Sequence, residues 1–213
     1  MKKSEALETL HEIKNMMEKS SRFQSISGLS IIIVGLYACL ATLIVYGITN
    51  ATTSCRFIPE QWINFSLNTP HNLFIGIMWT VVLFLISFGT IVLMAWHKSK
   101  KHQLRFVIDR RLLQMIFHFI LPIGIGGVLC LALIMQGHYG LTSSLMLLFY
   151  GLALVNCQHY TYPTLQFLGY AEILLGIIDC FVVNQALLFW FLGFGILHII
   201  FGIFYIIKHE KQA

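Results

Sequence analysis

Nine acidic residues are spread over a chain of 213, and two of them lie in one of its most apolar stretches, LGYAEILLGIIDCFVV at 168–183. Glu172 and Asp179 are two helical turns apart, so both side chains fall on one face of a helix. Gly169 and Gly176 share that face, and the next apolar stretch repeats the pattern with Gly195, His198 and Gly202. A carboxyl and an imidazole held among glycines in hydrocarbon form a proton-binding pair. Burial disfavours the charged form of each, so the pair stays neutral or shares one proton as carboxylate and imidazolium. Such a pair can relay protons, sense pH or anchor a ligand. It can also simply lock two helices together, a contact typically worth about 0.6 to 2 kcal/mol in a membrane.

The elements that must position this pair follow from composition. The chain is 57% hydrophobic and only 11% charged, against roughly a quarter charged for a soluble domain. Apolar runs of about 20 residues mark membrane helices, because only closed hydrogen bonding carries backbone across hydrocarbon. Six runs stand out, at roughly 26–48, 72–95, 112–136, 142–157, 165–183 and 186–207. The expected fold is therefore all-α, a polytopic transmembrane six-helix bundle forming one domain over 25–208, with a short tail at 209–213. Residues 1–24 precede it. There Leu7, Leu10, Ile13 and Met17 recur at spacings of three and four, which predicts an amphipathic helix lying on the membrane surface or against a partner. This charged segment does not read as a cleavable signal peptide.

Lysine and arginine set the orientation, since loops rich in them stay cytoplasmic. Five precede the first run, six lie in HKSKKHQLRFVIDRR at 97–111, and Lys208 and Lys211 follow the last. The 49–71 connection has only Arg56. With an even number of spans, thirteen basic residues fall inside and one outside. The expectation is both termini cytoplasmic in the inner (plasma) membrane. The net charge of +5 is then an orientation signal and does not point to nucleic acid. A cytoplasmic protein partner could use 4–22 or 97–111, and oligomeric state is not legible.

A tight turn at Asn184-Gln185 would fold the last two runs into a hairpin. Glu172 then lies 12.5 residues before the turn's midpoint and His198 lies 13.5 after it, within about 2 Å of the same depth. His118 is a third candidate at similar height, just before LPIGIGG, where Pro122 frees a backbone carbonyl. Asp179 forms a second, weaker site, with the Trp190 indole or outer-side water as its partner. The stretches GLSIIIVGL, GYAEILLGI and GILHIIFGI align without gaps. Gly28, Gly35, Gly169, Gly176, Gly195 and Gly202 thus read as helix-packing positions. The fifth and sixth spans are expected to meet through a Gly/Glu/His seam.

The five cysteines (39, 55, 130, 157, 180) include no CxxC. Their odd number and wide spacing suit small buried hydrophobes, with neither a disulfide framework nor a zinc site implied. No nucleophile arrangement or HExxH spacing is visible, so no catalytic residue, metal ligand or cofactor is assigned. The second half resembles a family of small bacterial multi-pass membrane proteins through LLFYGLALVN at 147–156, YT at 160–161, LGYAEILLG at 168–176 and FWFLGFGILHIIFGIFY at 189–205. FQSISGLS leading into GLYA is similar in kind. That resemblance implies a membrane protein with a glycine-rich C-terminal hairpin, and no activity. The leading expectation is a binding or regulatory membrane protein responding to protons or a small ligand at the seam. A small proton-coupled transporter is the alternative, and an intramembrane metalloenzyme comes third.

Overall fold

The computed structural model describes residues 27–52, 70–101, 110–160, 164–182 and 185–210. The amphipathic helix expected at 4–22, residues 102–109 of the basic loop and the tip of the expected 184–185 turn lie outside the described residues. Six helices run through the rest: α1 Gly28–Thr52, α2 Pro70–Lys101, α3 Arg110–Met135, α4 Thr142–Asn156, α5 Leu165–Phe181 and α6, residues 186–210. α6 is composite, with α-helix at Ala186–Trp190 and His198–Tyr205 and the wider π geometry at Phe191–Leu197 and Ile206–Glu210.

Four of these helices are long and apolar enough to cross a membrane, at Gly28–Val45, Met78–His97, Leu112–Met135 and Ala186–Lys208. Of the six spans expected, these four qualify by length and composition, and α4 and α5 are shorter. α4 and α5 have 15 and 17 residues, roughly 22 to 26 Å of helix against about 30 Å of hydrocarbon. Their ends explain the shortness: α4 opens on Thr142, Ser143 and Ser144, and α5 carries Asp179 in its last turn. The chain is an all-α, multi-span membrane protein.

The α3–α4 connection is built by one glycine. Gly137 has φ 81°, its N–H donates to Ile134 O at 3.1 Å, and the His138 N–H donates to Leu133 O at 2.9 Å. That pair of bonds is a Schellman stop, which needs a left-handed residue and so favours glycine. It turns the chain sharply into the 3₁₀ turn Tyr139–Leu141 and then α4.

Packing is organised by small residues into two antiparallel pairs. In α4·α5, a Cβ on Gly151 would fall 2.6 Å from Gly169 O, and one on Gly176 would fall 3.0 Å from Ser144 O. In α1·α6, a Cβ on Gly28 would fall 2.8 Å from Gly202 O, and one on Gly35 would fall 2.9 Å from Gly195 O. Each helix thus presents two small residues seven apart, and backbones meet where side chains vanish. This corrects the expected seam. The glycines of α5 and α6 do not face each other; they face α4 and α1 respectively. One face of a helix can press glycine-to-backbone on only one neighbour at a time, and the hairpin partner of α5 in that sense is α4. What brings α6 to α5 is Gly193, where an added Cβ would meet Leu147 and Glu172 Oε2.

Large apolar side chains point outward instead. Leu36, Leu40, Leu43 and Ile44 on α1, and Trp79, Phe84 and Leu85 on α2, are exposed. Among the described side chains of α2 only Ala95 is buried. The interior holds the glycines, the buried polar groups and a core cluster of Ile31, Leu154, Leu165, Leu168, Phe201 and Tyr205, while the exposed apolar side chains suit a chain associated with the bilayer through its apolar helices.

Candidate functional site

Glu172 and His198 each sit three residues after the first glycine of their pattern, on the inward face that the glycines define. Glu172 is 0% exposed and His198 2%. Glu172 Oε1 lies 3.4 Å from His198 Nδ1, so the acid and the imidazole expected to share a height form a buried pair.

The local backbone of α6 decides which proton sits where. In the π segment Phe191–Leu197, the sequence FLGFGIL places two glycines in a turn that carries an extra residue. That spacing brings the carbonyl of Gly193 to 3.0 Å from His198 Nδ1. A carbonyl can only accept, so Nδ1 carries the proton and donates it to Gly193 O. In the neutral ring Nε2 is then an acceptor, and the Tyr150 hydroxyl, 2.8 Å away, donates to it. The tautomer follows from the two neighbours together.

The surroundings are aromatic and closely packed. The rings of Tyr150 and Phe194 lie 5.4 and 6.2 Å from the imidazole, and Phe119 of α3 meets Tyr150 edge-on at 6.2 Å. Leu147, 0% exposed, closes the side toward Glu172. Among the described residues, neither oxygen of Glu172 has a hydrogen-bond partner. An unbonded carboxylate in such a place is far more costly than a neutral carboxyl. Glu172 is therefore poised: neutral when left alone, able to ionise only if the imidazole turns its N–H, or a positive charge, toward it.

Asp179 has a different environment from the one expected. Its Oδ2 accepts from Ser143 Oγ at 2.5 Å and Ser144 Oγ at 2.9 Å, and the residue is 3% exposed. The Trp190 indole expected to donate to it packs instead on Phe194 at 5.4 Å. The carboxyl sits at the first turn of α4, the positive end of that helix, where a negative charge is favoured. Asp179 ties the end of α5 to the start of α4.

His118 is not brought to the pair. It is exposed, its Nδ1–H donates to Gln114 O at 2.7 Å, and its ring lies 5.5 Å from that of Tyr160. Equal height had suggested it, but height says nothing about the direction in which a helix face points. Pro122 is buried within α3, which runs unbroken from Arg110 to Met135. Cys130 and Cys157 are buried, their thiols against Thr142 O at 3.6 Å and Met115 O at 3.5 Å. No group of three or more His, Cys, Asp or Glu among the described residues is arranged to hold a metal ion, so the metalloenzyme expectation has no ligand set there.

Sequence reasoning missed Tyr150, Gly193 and the two serines. Tyr150 was reachable: it lies 12 residues before position 162, midway along the sequence joining α4 to α5, and Glu172 lies 10 after it, within about 3 Å of the same height. Gly193 had no such signal, because nothing in FLGFG distinguishes a widened turn from a regular one.

No protein-family model matches this chain, no curated protein is detectably similar to it, and no solved structure matches it. The resemblance carried by the C-terminal motifs reduces to its coarse content, a small all-helical protein with several apolar membrane-spanning helices.

Proposed function

We propose that this chain is a binding or regulatory membrane protein whose proton-responsive element is the Glu172–His198 pair, completed by Tyr150. The observation that carries the reading is Glu172 itself: fully buried, 3.4 Å from an imidazole nitrogen, and without a hydrogen bond on either oxygen among the described residues. A purely structural lock would be expected to bond at least one carboxyl oxygen, as Asp179 does with two hydroxyls on Oδ2 while its Oδ1 has no partner among the described residues. A carboxyl left unsatisfied beside a titratable ring changes state at a cost its neighbours set. In this reading all six helices cross the membrane, with both termini cytoplasmic and the basic 97–111 loop available to a cytoplasmic partner. Thirteen basic residues against one support that arrangement.

A proton-coupled transporter is the second reading. Tyr150, His198 and Glu172 follow one another from α4 through α6 to α5, hydrogen-bonded at the first step and 3.4 Å apart at the second, which favours it. The burial of Glu172 and His198 weighs against it, since transport needs water to reach the site from each face in turn.

Infrared difference spectroscopy on protein in bilayers, across a pH series, tests the proposal. The expected result is a carboxylic C=O band that is lost on raising the pH and is missing at every pH in Glu172→Gln. A wild-type spectrum with no pH-dependent band that this substitution removes would overturn it, because Glu172 would then hold one protonation state throughout. Thiol labelling of cysteines placed at 172 and 198 separates the two readings. Reaction from both membrane faces belongs to a transporter, and reaction from neither belongs to a regulator.

A further inference from the structure

Resting on that reading, we infer that the Nδ1 proton of His198 is a switch between two acceptors, the Gly193 carbonyl and the Glu172 carboxylate, and that ionisation of Glu172 releases the π turn of α6. Both acceptors are within reach of Nδ1, at 3.0 and 3.4 Å. One N–H makes one good bond. A neutral carboxyl competes poorly with a backbone carbonyl, and the structure holds the corresponding state, with Nδ1–H donating to Gly193 O and both Glu172 oxygens unbonded among the described residues. An ionised carboxylate accepts a charge-assisted bond roughly twice as strong, so the Nδ1–H, keeping its proton, turns from Gly193 O to Glu172.

The consequence lies in the backbone. A π turn is rare and persists where something holds the extra residue. The His198 side chain, bonded to the carbonyl five residues earlier, is such a clamp on Phe191–Leu197. Gly193 and Gly195 inside the turn make rearrangement cheap, since glycine has no strong preference among backbone conformations. Losing the clamp lets the segment relax toward α geometry, which turns everything beyond it by at most about 100°. That segment carries Phe201, Gly202 and Tyr205 inward, and Gly202 rides on Gly28 and Ile32 of α1. The protonation state of a residue in α5 is in this way transmitted to the C-terminal half of α6, which turns against a stationary α1 at the Gly202–Gly28 contact.

The other titratable groups do not supply the same lever. From α4, Tyr150 engages Nε2 on the far side of the ring, and Cys157 lies beyond it, bonded to Met115 O. From α1, Cys39 packs on Gly195. From α3 the ring that reaches the cluster is Phe119. On α5, Asp179 is two turns away and held by Ser143 and Ser144. Among the described residues, only Glu172 can alter what Nδ1 faces.

Nitroxide labels placed singly at the outward-facing Ile203, Phe204 and Ile207, with Leu36 on α1 as a fixed reference, read the movement through contact with dissolved oxygen in bilayers. Cys180, the exposed cysteine among the described residues, and Cys55 are replaced by serine for this purpose. The expected result is that contact redistributes among 203, 204 and 207, reversibly, over the pH range in which the Glu172 infrared band is lost. Position 36 stays constant, and Glu172→Gln keeps the low-pH pattern throughout. An unchanged pattern while the infrared band titrates overturns the switch and leaves the proton-responsive reading standing. Redistribution that persists in Glu172→Gln also overturns it. Should that variant fail to assemble, Glu172→Asp withdraws the carboxyl from Nδ1 by one methylene. A titrating band without redistribution is then expected, and redistribution as in the wild type refutes the switch.

Discussion

Three side chains from three helices make the site, and each depends on the others for its protonation. Tyr150 fixes Nε2 as an acceptor, Gly193 O fixes Nδ1 as a donor, and Glu172 is left as the group that can change. Tyr150→Phe removes the donor and strands a buried ring nitrogen. Thermal unfolding in detergent should show a loss of about 0.6 to 2 kcal/mol, the range for interhelical polar contacts in membranes. Asp179 should behave as a tether. Asp179→Asn keeps an acceptor for Ser143 and Ser144 and should change stability little, whereas Asp179→Leu orphans two buried hydroxyls and should cost about 1 to 3 kcal/mol in the same assay. At this scale the acid–imidazole pair was legible because depth follows from counting residues back from a turn. Tyr150 obeyed the same rule about another turn and went unread, since a tyrosine in an apolar helix carries no signal of its own. His118 obeyed it too and is elsewhere, because the count gives height without azimuth.

Helix association rests on backbone contact, and the glycines divide by whether they make it. Gly169 and Gly202 face carbonyl oxygens, so that an added Cβ would fall 2.8 Å from Gly151 O and 2.9 Å from Gly28 O. Backbone cannot yield as a side-chain tip does. Gly169→Ala and Gly202→Ala should therefore destabilise by about 1 to 3 kcal/mol. Gly124 and Gly127 on α3 have nothing within 4 Å of an added Cβ, and their alanine variants should match or slightly exceed the wild type, since alanine is the better helix former. Equal losses at all four positions would remove the two-pair description. The seven-residue spacing of Gly28/Gly35, Gly169/Gly176 and Gly195/Gly202 was visible in the sequence. Which helix each pattern meets was not, because spacing marks a contact face and leaves the neighbour unnamed. The fourth member, Ser144 and Gly151, hid behind a serine.

Across the whole molecule, the six apolar stretches became six helices within a few residues of their expected limits, because hydrophobic run length is the strongest signal a membrane chain carries. Runs of 15 and 17 residues at α4 and α5 blurred only the distinction between a full span and a short one. Charge placement then makes the orientation testable: a reporter active only in the cytoplasm should work when fused at either terminus and fail when inserted beside Arg56. The central claim concerns one imidazole, and nitrogen NMR of His198 in bilayers, assigned by its loss in His198→Gln, reads it directly. The result expected is a proton on Nδ1, a bare Nε2 accepting from Tyr150, and a response to pH that Glu172→Gln abolishes. Nitrogen signals like those of a water-exposed histidine, titrating identically with and without the Glu172 carboxyl, would contradict it.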